Sequence, residues 1–357
     1  MPLDSVPSTV DLGALDAKKR AAAGKCHVDV GFWGGVVPDN LGELEQLWSA
    51  GVCGFKCFLV DSGSKDFPRV DLASLESALS LVGRLGGPLL VHAESNEVAE
   101  GLPSVSTTKY AEYLATRPRG LENLAIAQLI EAARRSGGRA HVAHLSSSDA
   151  LWMIESARRE GVRVTGETCP HYLTFSSEEI SDGDTRFKCA PPIREEANRE
   201  LLWQGLRGGV LDLVVSDHSP SPASMKTRVE GDFGSAWSGI SSLQLALSIV
   251  WSGARTRGFS LADVVRWMSE QPAALAGLCS KGGIAVGKDA DFCIFAPDEE
   301  FIVDPAKLQH RNSGTPYDGR RLTGVIRDTM LHGELVDLAA APAGNLLERS
   351  RPLLSEC

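Results

Sequence analysis

Short apolar runs that end in polar side chains alternate along this chain with stretches of helical periodicity, and this alternation limits the fold more than any other feature. The runs are Gly54-Phe55-Lys56-Cys57-Phe58-Leu59, Leu89-Leu90-Val91-His92-Ala93-Glu94, His141-Val142-Ala143-His144-Leu145-Ser146 and Leu213-Val214-Val215-Ser216-Asp217-His218. Continuous apolar runs of this length read as parallel strands buried on both faces, and functional groups of such sheets gather where the strands end. A lysine, two histidines and an aspartate at successive strand ends predict one shared site.

The same rhythm continues between the runs. His27-Val-Asp-Val-Gly-Phe-Trp33 is expected to be a strand before a helix over Leu41 to Ala50, and the Lys56 run precedes a helix over Leu72 to Leu85. Helices are expected over Lys109 to Ala115, Leu121 to Arg135 and Asp149 to Glu160, with further strands at Arg163 to Thr168 and in the Asp217 run. Repeated βα units imply right-handed crossovers and a parallel sheet, here of six strands. Met1 to Thr9 reads as the tail of an earlier strand, followed by a helix over Leu12 to Ala23. The fold class expected is α/β, a TIM-type (β/α)8 barrel. Seven strands at most against the eight of a closed barrel predict that its first strand is lacking and that the chain begins inside the fold.

Helices follow over Ser242 to Ala254 and Leu261 to Glu270, with another starting near Pro272. After Cys279 the texture changes to short strands and turns, over Gly283 to Phe295, Leu322 to Arg327 and Met330 to Val336. The expected units are residues 1–278 as the partial barrel, 279–338 as a small C-terminal β lobe and 339–357 as a loosely ordered tail.

Composition narrows the partners. A net charge of −10 without a Lys/Arg-rich run argues against a nucleic-acid or anionic-membrane surface and favours a small substrate. Eight cysteines are scattered singly, as expected of reduced thiols in the cytoplasm, and no run reaches the roughly 18 apolar residues of a membrane span. Cys57, Cys169 and Cys189 fall within or beside the candidate motifs.

The four strand-end residues suit a two-metal hydrolase, in which cations lower the pKa of a water and polarise the carbonyl it attacks. His92 and His144 are candidate ligands of one metal. His141 and His144 must face opposite ways on a strand, so only one can reach the site; His144 is the choice, with His141 in the outer layer. An ammonium is not a ligand, but a lysine amine buried beside two cations favours its neutral form and can take up CO₂; Lys56 would then carry a carbamate bridging two metals. Asp217 can ligate a metal and serve as the catalytic general base, with His218 orienting it. Taken singly, each has an ordinary reading: His as core, Lys56 as ion-paired, Asp217 as a helix N-cap.

These runs resemble the cyclic amidohydrolases of the amidohydrolase superfamily, and within them the allantoinase group. The resemblance rests also on Met1-Pro-Leu-Asp-Ser5, Val28-Asp-Val-Gly-Phe-Trp-Gly-Gly-Val-Val37, Glu167-Thr-Cys-Pro-His-Tyr-Leu173, Lys188-Cys-Ala-Pro-Pro-Ile-Arg194, Gly287-Lys-Asp-Ala-Asp291 and Thr315-Pro-Tyr-Asp-Gly319. It implies a barrel with a small β-sandwich lobe, two divalent metal ions, most simply Zn²⁺, a CO₂-derived carbamate on Lys56, hydrolysis of allantoin to allantoate, and a homotetramer. It also implies that Cys189, Ala190, Ser238, Gly239 and Ser241 hold the substrate ring, with Glu167 and His171 in the pocket.

Two departures stand against the family pattern. The His-x-His pair of the first barrel strand occurs nowhere in the sequence, and Asp4 stands where the family usually has Asn at a substrate contact. The chain is therefore expected to be an N-terminal truncation with little activity of its own. The competing readings are a dihydropyrimidinase (hydantoinase) or dihydroorotase, and a catalytically dead scaffold.

Overall fold

A computed structural model of the chain describes residues 1–3, 5–312 and 314–349. Six strands form one parallel sheet in chain order: Gly34–Gly35, Phe55–Phe58, Pro88–His92, Arg139–Val142, Val164–Thr168 and Leu213–Val214. Every residue of the Phe55–Phe58 and Pro88–His92 strands is buried, as the continuous apolar runs require. The register sets Phe58 beside His92 and Val91 beside Val142, so neighbouring strands end at nearly the same level.

Helices cover the sheet where local signals dictate. Leu72–Leu85 starts at Asp71, whose side chain accepts from Ser74 N at 2.7 Å, and stops at Gly86 in the left-handed conformation. Leu75, Ala78, Leu79 and Val82 form its buried face, and it packs on the helix Arg119–Ser136. Each such leucine contributes about 1.5–3 kcal/mol by leaving water. The helical path Leu261–Ala276 runs through a π turn at Arg266–Glu270, because Pro272 has no N–H to continue the α-helical ladder.

Several expectations change. No strand forms over the described part of residues 1–9; of the strand expected over 27–33 only Val30–Gly31 forms, outside the six-stranded sheet, which begins instead at Gly34–Gly35; and residues 283–291 are turns, the strand running over Phe292–Ile302. That strand, Arg321–Leu331 and Glu334–Leu335 make a three-stranded antiparallel sheet. The tail is not loose where it is described: Leu346–Leu347 pairs in parallel with Val30–Gly31. Asp29 fixes this junction, accepting from Asn345 N at 2.8 Å and pairing with Lys281 at 2.5 Å. Among the described residues six cysteines are free, but Cys279 is disulfide-bonded, unlike the uniform thiols expected.

Candidate metal centre

Lys56, His92, His144 and Asp217 line one cavity of about 770 Å³, together with His218. Cys189, Ala190, Ser238 and Gly239 line its rim. A second cavity of about 1090 Å³ meets it at Lys56, His144, Asp217 and His218, and continues past Glu167 toward Lys281. The residues that sequence reasoning gathered from four strand ends are thus brought together in space.

The imidazoles face each other. His92 Nδ1 lies 3.2 Å from His144 Nε2, and the ring planes are inclined at 66°. Two nitrogens bound to one tetrahedral zinc at about 2.0–2.1 Å would be about 3.3 Å apart, so this separation fits a shared cation. Glu94 accepts from His92 Nε2 at 2.8 Å, which leaves the lone pair on Nδ1 directed at His144. His144 Nε2 can donate to that lone pair, and a bound cation would take the place of that proton. Burial first, then the neighbouring His92 and Lys56, push the His144 pKa well below the ordinary range and keep its imidazole neutral, as a ligand must be.

Glu94 follows His92 by two residues, and that period of two, which puts both on the same side of the chain, is the sequence signal for its role. It is buried and receives two bonds of 2.7 Å from Arg117. Lys56 and Phe58 likewise share a face: Lys56 Nζ lies 5.2 Å from the Phe58 ring centre, and that ring stacks on His92 at 4.5 Å.

Backbone strain marks the same positions. Three non-glycine residues have positive φ among the described residues, and two are His144 (38°) and Asp217 (41°). Such conformations are rare for non-glycine residues and concentrate at functional sites. Glu167 supports the first by accepting from His144 N at 3.3 Å. The loop that follows is tied by Glu122, which accepts from Ser146 N at 2.9 Å and Ser147 N at 3.0 Å and pairs with buried Arg194 at 2.6 Å.

His141, His171 and Ser241 line neither cavity, whereas His218 lines both. His141 Nδ1 lies 2.7 Å from Thr165 Oγ1, and its Nε2 is 3.1 Å from Glu167 Oε2 without hydrogen-bond alignment. His218 accepts from Ser242 N and Leu243 N, each at 3.1 Å, so its Nδ1 caps a helical turn. Ser241 Oγ turns to His310 Nδ1 at 2.9 Å. His171 is buried outside both cavities. Asp4 lies outside the described residues.

At the rim, two lysines hold the backbone. Lys226 Nζ donates to Lys188 O at 3.1 Å and to Gly239 O at 2.5 Å, and Gly239 N donates to Lys188 O at 2.9 Å. Burial brings both Lys188 and Lys226 down to about 8.

The family model for the amidohydrolase family matches residues 8–336. An allantoinase of Streptomyces avermitilis is 52% identical over 98% of this chain and 78% of its own length. Those of Arabidopsis thaliana and Saccharomyces cerevisiae are 46% and 39% identical, over 94% and 98% of this chain and 69% and 78% of their own lengths. Among solved structures, the L-hydantoinase (dihydropyrimidinase) of Arthrobacter aurescens superimposes with a TM-score of 0.90 at 30% identity, over 98% of this chain and 78% of that one. With its facing imidazoles at the end of a parallel sheet, the chain belongs to the amidohydrolase family.

Proposed function

We propose that this chain hydrolyses the cyclic amide of allantoin to allantoate with two divalent cations, most simply Zn²⁺. His92 Nδ1 and His144 Nε2 would hold one, Lys56, once carboxylated by CO₂, would supply a ligand shared by the two, and Asp217 would hold the second. When bound, the cations polarise the ring carbonyl and activate water. Asp217 takes the proton of the attacking water and returns it to the ring nitrogen as the C–N bond breaks, so the acid and amine ends of the opened ring both come from one water. The backbone around Cys189 and Ala190 and around Ser238 and Gly239 holds the ring in place, with Ser241 behind it.

The observation that carries this reading is the 3.2 Å approach of His92 Nδ1 and His144 Nε2 in a cavity shared with Lys56 and Asp217. The high identity to allantoinases supports the substrate. In the same reading the six parallel strands belong to a (β/α)8-type barrel over residues 1–278, residues 279–338 form a C-terminal lobe, and the protein assembles as a homotetramer. We place it in the cytoplasm on its six free described cysteines, against which the Cys279 disulfide counts; among the described residues no helix is long and apolar enough to cross a membrane.

The test compares ring-opening rates on allantoin, dihydrouracil and dihydroorotate in the presence of Zn²⁺ and bicarbonate. Allantoin is expected to be fastest, and Lys56→Ala to lower its turnover at least about 100-fold together with metal content. Faster opening of either competitor overturns the assignment.

A further inference from the structure

We infer that Cys169, His171 and Asp217 form an additional site for a divalent cation of the zinc class, separate from the position between His92 and His144. One ligand atom of each, a thiol sulfur, a ring nitrogen and a carboxylate oxygen, lie within 4.8 Å of one another. Cys169 and His171 are both completely buried. Neither ring nitrogen of His171 has a hydrogen-bond partner. Buried imidazoles are nearly always satisfied, so two orphaned nitrogens beside a thiol and a carboxylate point to a ligand.

Local structure explains how the three meet. The strand Val164–Thr168 ends just before Cys169, and Pro170 opens a single helical turn, Pro170–Thr174, that folds His171 back beside Cys169. The His171 ring is held edge-on by Tyr172 at 4.2 Å. Asp217 arrives from the next strand in the left-handed conformation. A sulfur, nitrogen and oxygen set suits Zn²⁺ and excludes the all-oxygen preferences of Mg²⁺ and Ca²⁺. Binding would displace the Cys169 thiol proton to solvent and leave a fourth position open. The cluster Asp29, Asp289 and Asp291 is different in kind, because the Lys281 ammonium already sits among those carboxylates.

The site shares Asp217 with the proposed catalytic pair, and only in that respect does it rest on the reading above. The experiment is anaerobic titration of the metal-free full chain with Co²⁺, followed in the near ultraviolet and visible. Wild type is expected to develop a thiolate-to-cobalt charge-transfer band that Cys169→Ser abolishes and His171→Gln weakens, while visible d–d bands from the His92 and His144 position persist in both variants. Absence of the thiolate band at saturating Co²⁺, or its survival in both variants, overturns the inference; d–d bands without it leave the catalytic reading standing. Should the variants misfold, X-ray absorption of the zinc-loaded wild type decides: sulfur at about 2.3 Å supports the site and an all-nitrogen and oxygen shell refutes it.

Discussion

Glu94 Oε2 sits 2.8 Å from His92 Nε2, and both side chains are buried at the mouth of the sheet. Burial alone would raise the Glu94 pKa, but the Arg117 guanidinium and His92 outweigh it and hold the carboxyl well below the usual carboxylate range. A carboxylate there accepts and never donates, so it fixes the His92 tautomer.

Glu94→Gln keeps the shape and removes the charge that Arg117 balances. Affinity for zinc is expected to fall about 10- to 100-fold, as for other partners behind a metal-bound histidine. Competition with a chromophoric chelator measures it; unchanged affinity would show that the tautomer does not matter.

Glu122 and Arg194 are each about 98% buried as side chains, and the pair holds the loop after His144. Removing one partner strands the other charge, so Glu122→Gln is expected to cost about 3–5 kcal/mol. Urea unfolding reads this directly, and the double substitution with Arg194→Met is expected to recover part of the loss. A shift below about 1 kcal/mol for the single variant contradicts the assignment.

Asp232 anchors the segment before Ser238. It accepts from Thr107 N at 2.7 Å and from Gly234 N and Ser235 N at 3.0 Å each. Burial opposes its ionisation, but these bonds prevail and bring it down to about 2. An unfolded aspartate titrates near pH 3.9, so between the two values the unfolded chain binds more protons. Its contribution is complete above about pH 4 and is lost as pH falls toward 2. Unfolding midpoints of Asp232→Asn are expected to change less with acid than those of wild type; parallel curves would exclude this carboxyl as the cause.

Gly239 has φ of 129°, and a Cβ there would lie 2.3 Å from the Ser219 carbonyl oxygen. Gly239→Ala must therefore displace the segment that Lys226 ties to Lys188. If that backbone holds substrate, kcat/KM drops about 10- to 100-fold while bound metal stays constant. Loss of metal in step with activity would point instead to wider collapse of the site.

Local patterns carried much of this into the sequence. The helix Leu72–Leu85 has the bounds its apolar spacing predicts, because Asp71 and Gly86 mark its ends. Five of the six strands of the parallel sheet were legible as sequence runs. The strands at Gly34–Gly35 and Leu346–Leu347 were not, since two-residue pairings leave too short a pattern. The Arg117 and Glu122 contacts were equally hidden, because their partners lie 23 to 77 residues away along the chain.

By itself the sequence determined the alternation of strand and helix, and with it the clustering of Lys56, His92, His144 and Asp217 at strand ends, because periodicities of two and 3.6 residues are properties of neighbours. Only the tertiary structure decided that His92 Nδ1 faces His144 Nε2, that Glu94 selects the tautomer, and that His171 is left unpartnered beside Cys169. Those outcomes depend on register and on left-handed turns at His144 and Asp217, where packing overrides what each residue would adopt alone.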